Sequence, residues 1–107
     1  MRSLLIVETR DCAEHRGPGQ MAELAAGMVK AGVPATIFIT ENAVFAGRSG
    51  SESPFKKAVS GGVSIIADKF ALDERAIPAD DLQSGIQPAD VDVIVDHLAA
   101  GACIMWR

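Results

Sequence analysis

The chain has 107 residues, with 10 Lys and Arg set against 14 Asp and Glu for a formal charge of −4. That length suits a single domain spanning residues 1–107, and a 49% hydrophobic, 22% charged composition supplies a core, which argues against disorder and against a multidomain architecture. With no basic run longer than Lys56-Lys57, little is available to neutralise phosphates, so nucleic acid is not an expected partner.

Met1-Arg2-Ser3 leads into four apolar residues, Leu4 to Val7, before Glu8 and Arg10 interrupt, which is too short for the core of a signal peptide. No stretch approaches the roughly 18 uninterrupted apolar residues of a membrane helix, so no membrane partner and a cytoplasmic location are expected. Residues 3–8 read as a strand buried on both faces, as in a parallel sheet. From Pro18 onward Met21, Leu24, Ala25, Met28 and Val29 recur at helical spacing, and Lys30 and Gly32 suit a helix end. Residues 35–40 are β-branched and form the second strand. Residues 42–53, with Gly47, Ser49, Gly50 and Ser51, read as a mobile surface loop.

Ser53-Pro54 is a cap followed by proline at the first helical position, opening a short helix that Gly61-Gly62 closes. Residues 63–67 make the third strand, and Asp68 is placed to cap a helical turn over residues 69–75 that Pro78 ends. After an irregular polar segment, Pro88 is expected to start a last helix with Val91, Ile94, Val95 and Leu98 on one face and Asp90 in its first turn. Gly101 stops it before a final strand over residues 103–106. The order β-α-β-α-β-α-α-β calls for a three-layer α/β domain with a parallel sheet, right-handed crossovers and helices on both faces.

In such sheets sites form outside the carboxyl ends of the strands. The first of these ends holds Asp11-Cys12-Ala13-Glu14-His15-Arg16, the densest cluster of reactive side chains in the chain. A thiol before a helix N-terminus with His15, Arg10 or Arg16 nearby can have a lowered pKa, which would suit sulfur transfer or redox chemistry. The competing reading is an exposed loop cysteine in a solvated segment, with His15 a surface residue. Cys103, at the start of a terminal strand, reads as a small buried hydrophobe, and His97 as solvated. Cys12 and Cys103 match neither a disulfide framework nor a zinc site, so both thiols are expected reduced.

Gly17-Pro18-Gly19-Gln20-Met21-Ala22 fits a relaxed dinucleotide fingerprint, with Glu41 where a ribose-binding acid would stand. The first glycine falls well after the strand, and the simpler reading is a loop that begins a helix. No cofactor is expected, and no metal-binding motif is present in the sequence.

Several segments carry a family resemblance. Leu4-Leu5-Ile6-Val7, an alanine-rich helix ending Lys30-Ala31-Gly32-Val33, Thr36-Ile37-Phe38-Ile39 and Glu41-Asn42-Ala43-Val44 resemble the DsrE/DsrF-like (TusD/DsrE-type) family of small sulfur-relay proteins. Gly61-Gly62-Val63-Ser64-Ile65-Ile66-Ala67 resembles its third strand, residues 71–77 a helical turn ending in an Arg-Gly-Ile-like triplet, and Cys103-Ile104-Met105-Trp106 its terminal strand. The resemblance covers essentially the whole chain and implies an α/β fold, a homo-oligomer (trimer or hexamer) and sulfur-relay proteins as partners. It also implies an accepting cysteine just after the third strand. Asp68 stands there instead, and Ala76 replaces the triplet's glycine.

Two functions follow from this reading. In one, Cys12 accepts or relays persulfide sulfur, with His15 and nearby arginines stabilising the thiolate. In the other, the chain is a noncatalytic oligomeric binding or assembly subunit lacking the family cysteine, and it uses a crevice around Asn42 and Asp68.

Overall fold

The computed structural model describes residues 3–51 and 53–107; Met1 and Arg2, ahead of the first strand, and Glu52, in the expected loop, lie outside the described residues. Five strands, β1 (Leu4–Glu8), β2 (Ala35–Ile39), β3 (Ser64–Asp68), β4 (Ile86–Ala89) and β5 (Cys103–Trp106), form one sheet in the order β4-β3-β2-β1-β5. Every pairing is parallel. The helices are α1 (Gly17–Lys30), α2 (Pro54–Ser60), α3 (Lys69–Glu74) and α4 (Asp92–Ala99).

The strand order dictates where the helices go. From β1 to β4 the chain steps across the sheet in one direction, and right-handed crossovers then place the intervening helices on one face. The last step runs from β4 back to β5, beyond β1, so its helix belongs on the other face. The core follows that division. Leu4, Ile6, Ile37, Ile39 and Ile65 point to one side and pack with Ala22 and Ala25 of α1, Phe55 and Ala58 of α2, and Ala71 and Leu72 of α3. Leu5, Val7 and Phe38 point to the other, where Val93 and Ile94 of α4 and Ile104 of β5 partly cover them. Period-two alternation along β1 divides its residues between two cores, which is why the whole strand is buried.

Three parts of the sequence reading need correction. A fourth strand was missed: residues 86–89 pair with β3, and Pro88 lies in that strand rather than opening a helix. Being on an edge, β4 can tolerate a residue without an N–H. The helix therefore begins later, with Asp92 rather than Asp90 in its first turn. The supposed loop after β2 begins as a 3₁₀ helix, Glu41–Gly47, with Ala43, Val44 and Ala46 buried beneath it. Small apolar residues just ahead of the glycine and serine punctuation carried that burial. Finally, Val91, Val95 and Leu98 do lie along one stripe, but they face outward, whereas Val93 and Ile94 meet the sheet.

Other expectations match the structure. The Ser53 hydroxyl accepts a hydrogen bond from the Phe55 N–H at 3.0 Å, capping α2. Gly32, Gly62 and Gly101 all take positive φ just beyond helix ends. The same turn ends α3: the Ile77 N–H donates to the Leu72 carbonyl at 3.0 Å, which puts Ala76 at φ 53°. Ala76 thus holds a left-handed position that glycine would fill without a Cβ penalty. Replacing it, Ala76→Gly, should stabilise the fold by about 1 kcal/mol, the left-handed relief exceeding the unfolded-state entropy of glycine. Urea denaturation followed by circular dichroism measures this, and an unchanged or lower midpoint would refute it.

Candidate functional site

Of the four candidate residues, Cys12 and His15 lie on the α1 side of the sheet, Asp68 faces the other side, and Asn42 sits at the carboxyl edge in the 3₁₀ helix. After β1, the Asp11 side chain accepts a hydrogen bond from the Ala13 N–H at 3.0 Å, and its carbonyl accepts from the Glu14 and His15 N–H groups. This tight turn separates Cys12 from α1, whose N-cap residue is Arg16. Cys12, His15 and Arg16 then line an open groove with Gly19, Glu23 and Ser53, between the starts of α1 and α2. Cys12 also borders a smaller polar cleft with Phe45, Arg48 and Ser51.

The chemistry of Cys12 differs from that expected of a thiol at a helix N-terminus. Partial burial pushes its pKa up, the adjacent Asp11 carboxylate pushes the same way, and a backbone hydrogen bond to the sulfur opposes them. The sulfur stands four residues short of the helix and beside an anion, so the expected lowering gives way to a rise. Cys103 is also corrected, being exposed on the edge strand β5 rather than buried, and both thiols are free. His97 is half-buried and, in its Nδ1–H tautomer, donates to the Val93 carbonyl at 2.9 Å.

Because a raised pKa means less thiolate at a given pH, Cys12 should react with iodoacetamide at pH 8 several-fold more slowly than Cys103, and Asp11→Asn should speed it. Peptide mass spectrometry after timed alkylation measures both rates. A Cys12 that outpaces Cys103 would contradict this account.

Beneath the first loop lies a pair that spacing did not reveal. Glu8 follows the inward parity of Leu4 and Ile6, and its side chain is 0% exposed. Its Oε2 accepts the Arg10 backbone N–H at 3.0 Å and sits 3.6 Å from the Arg10 Nε. The Arg10 guanidinium lies so close to Gly17 that a Cβ there would overlap it. The glycine of the supposed dinucleotide fingerprint therefore makes room for an arginine, and Gly17 and Gly19 fall within α1 rather than in a loop ahead of it. A charged residue ending an otherwise apolar strand, with an opposite charge two residues on, was the available signal.

Removing one partner of such a pair leaves a buried carboxylate uncompensated. Arg10→Leu should cost on the order of 2 to 3 kcal/mol at pH 7, the 35% exposure of the Arg10 side chain tempering the loss, and Glu8→Leu with Arg10→Leu should recover most of it. Denaturant midpoints of the three proteins decide this; a double variant no better than Arg10→Leu would contradict it.

On the opposite face, the carboxyl ends of β1, β2 and β3 present Thr9, Thr40 and Asp68 in a row. The Thr40 hydroxyl donates to Asp68 Oδ2 at 2.6 Å, and the Phe70 N–H donates to Oδ1 at 3.1 Å. Asp68 is the α3 cap that its position suggested, and both of its oxygens are occupied. Asn42, in the 3₁₀ helix, accepts from Arg75 Nη2 at 3.0 Å and from Nε at 3.3 Å. Arg75 also lies 5.7 Å from the centre of the Phe45 ring, and Arg48 lies 5.1 Å from it.

Beside Thr40 a cleft of about 250 Å³ opens. Val7 and Phe38 form its floor, Thr9 and Thr40 its end, and Val91 and Ile94 one wall. Trp106 and Glu41 complete it. Trp106 pairs with Val7 across β5 and β1, so its indole stands on this face, 65% exposed. Glu41 is held at φ 49°, another left-handed position for a residue with a side chain.

Among the described residues no group of three or more His, Cys, Asp and Glu is arranged to hold a metal ion, and no helix is long and apolar enough to cross a membrane. No protein-family model and no curated protein matches the sequence. Solved structures do resemble the fold. The ychN protein from E. coli superposes with a TM-score of 0.84 at 17% identity, with 100% of each chain covered. Protein MTH1491 from Methanobacterium thermoautotrophicum, described as of unknown function, gives a TM-score of 0.78 at 18% identity over 99% of this chain and 98% of its own. BT1422 from Bacteroides thetaiotaomicron, likewise described, gives 0.78 at 16% over 99% and 95%. At these identities the likeness shows the α/β fold.

Proposed function

We propose that this chain is a DsrE/DsrF-like subunit of sulfur metabolism that works by assembly and binding, without carrying sulfur on the residue after its third strand. Asp68 carries the reading. It stands where the family resemblance implies an accepting cysteine, and both of its oxygens are committed to Thr40 and to the start of α3. A carboxylate forms no persulfide, and this one has a structural task.

The apolar surface supports the assembly half. Val95 and Leu98 form an exposed stripe along α4, at 63% and 62%. A stripe of this kind on a small domain is the usual mark of a partner surface. It accords with a homo-oligomer, trimer or hexamer, and with a cysteine-bearing sulfur-relay protein as a further partner.

The groove holding Cys12, His15 and Arg16 favours a second reading, a relocated persulfide acceptor. The Cys12 thiolate would attack the terminal sulfur of a donor persulfide, forming a new S–S bond as the donor's S–S bond breaks and its thiolate leaves. Burial and Asp11 weigh against that step by keeping the thiol protonated.

One experiment separates the two. Wild type, Cys12→Ser and Cys103→Ser are incubated with a persulfide donor and weighed intact, and their oligomeric state is read by light scattering. The expected result is an oligomer with no sulfur gained specifically on Cys12. Sulfur uptake abolished by Cys12→Ser but not by Cys103→Ser would establish the relay reading instead. Within the assembly reading, Val95→Glu with Leu98→Glu should weaken association by at least about a hundredfold, and an oligomer that survives both charges would overturn the assigned surface.

A further inference from the structure

The cleft beside Thr40 has a distinctive chemistry. Its floor is apolar, its end carries two hydroxyls, an indole stands on one side and a single carboxylate, Glu41, is on its lining. No Lys, Arg or His is among its lining residues. The start of α4 would contribute a positive dipole end here, but Asp92 in the first turn offsets it. The neighbouring carboxylate, Asp68, is satisfied by Thr40 and the α3 backbone, which leaves Glu41 as the acidic group open to a ligand.

We propose that this cleft binds a small organic cation, an apolar body bearing a protonated amine, with the body on Val7 and Phe38 and the ammonium between Glu41 and the Trp106 face. The proposal rests on the binding reading given above and names its ligand class. An indole face attracts a cation through its quadrupole, and it does so most strongly where water is partly excluded. A carboxylate beside it adds charge complementarity, and the threonine hydroxyls can accept the remaining N–H groups. An anion would meet the Glu41 carboxylate with no cation among the lining residues, and a neutral ligand would gain only the floor.

The position of Glu41 adds a second argument. Its left-handed backbone would suit glycine or asparagine better, yet a carboxylate occupies the first position of the 3₁₀ helix that follows β2. The cleft also lies at the carboxyl edge of the sheet, where α4 begins. Val95 and Leu98 sit one and two turns further along α4, toward the amino edge, so an assembly contact on them leaves the cleft open.

The chain has one Trp and no Tyr, so Trp106 emission reports the cleft directly in the intact 107-residue chain. Phenethylammonium, 2-phenylethanol and 3-phenylpropionate share an aromatic body and differ in head-group charge. Titrated in turn, the ammonium should shift or quench Trp106 emission saturably, the alcohol should bind at least about tenfold more weakly, and the carboxylate should bind least. Glu41→Gln should lower the ammonium to the level of the alcohol, whereas Asp73→Asn, which removes an equal charge elsewhere on the surface, should not. Equal binding of alcohol and ammonium, discrimination that persists in Glu41→Gln, or an emission that none of the three probes moves would each overturn the proposal. Sulfur gained on Cys12 in the mass measurement would retire the binding-subunit reading and leave this titration unaffected, so the two failures are distinguishable.

Discussion

Much of this structure depends on the reversal of direction after β4. Three crossovers step across the sheet one way and stack α1, α2 and α3 on a single face. Only the return to β5 serves the other face, and it carries one helix of 8 residues. Running along the strands, a single helix is roughly 10 Å wide against roughly 19 Å across five strands, so it cannot cover the sheet. The result is one sealed core and one thin one, in which only Leu5, Val7 and Phe38 are fully buried. The outward stripe of α4 and the open indole of Trp106 both follow from that imbalance.

The same reversal divides the chemistry. The loop after β1 leads to the sealed face, taking Cys12 and His15 with it, while the side chains of Thr40 and Asp68 end on the thin face. Residues that are neighbours along the carboxyl edge thus belong to separate sites. The sealed side devotes its charge to structure, with Glu8 and Arg10 fastening the first loop to α1. The thin side keeps a carboxylate without a partner among the described residues, two hydroxyls and an aromatic surface around one cleft. On physical grounds the thin side is the better placed to receive a ligand or a partner, since little there would have to move aside.

Asp68 fixes the junction of β3 and α3. A thiol after β3 would leave the Phe70 N–H and the Thr40 hydroxyl with a far weaker acceptor. The carboxylate satisfies both and stiffens the junction of β3 and α3. Arg75 works at the other end of α3, tied to Asn42 and packed over Phe45. Between them the turn that follows β3 is fixed, even with Ala76 in a backbone position suited to glycine.

The sequence alone determined the first three strands, α1, the Ser53 cap and the helix-ending glycines, because each rests on local chemistry: apolar runs, hydroxyl caps and residues that accept positive φ. It also determined that Asp68 caps α3, a contact spanning two residues. The segment at residues 86–89 was illegible because a short edge strand with proline carries no periodic signal and exists only by pairing with β3. Burial beneath residues 43–46 was hidden for a similar reason, since small apolar residues look like loop until something packs on them. The tertiary structure decided which face each side chain reached, and hence the Glu8 and Arg10 pair, the raised pKa of Cys12 and the placing of Trp106 and Glu41 on one cleft. Those depend on strand order and register, which bring together residues tens of positions apart, and no local pattern encodes that distance.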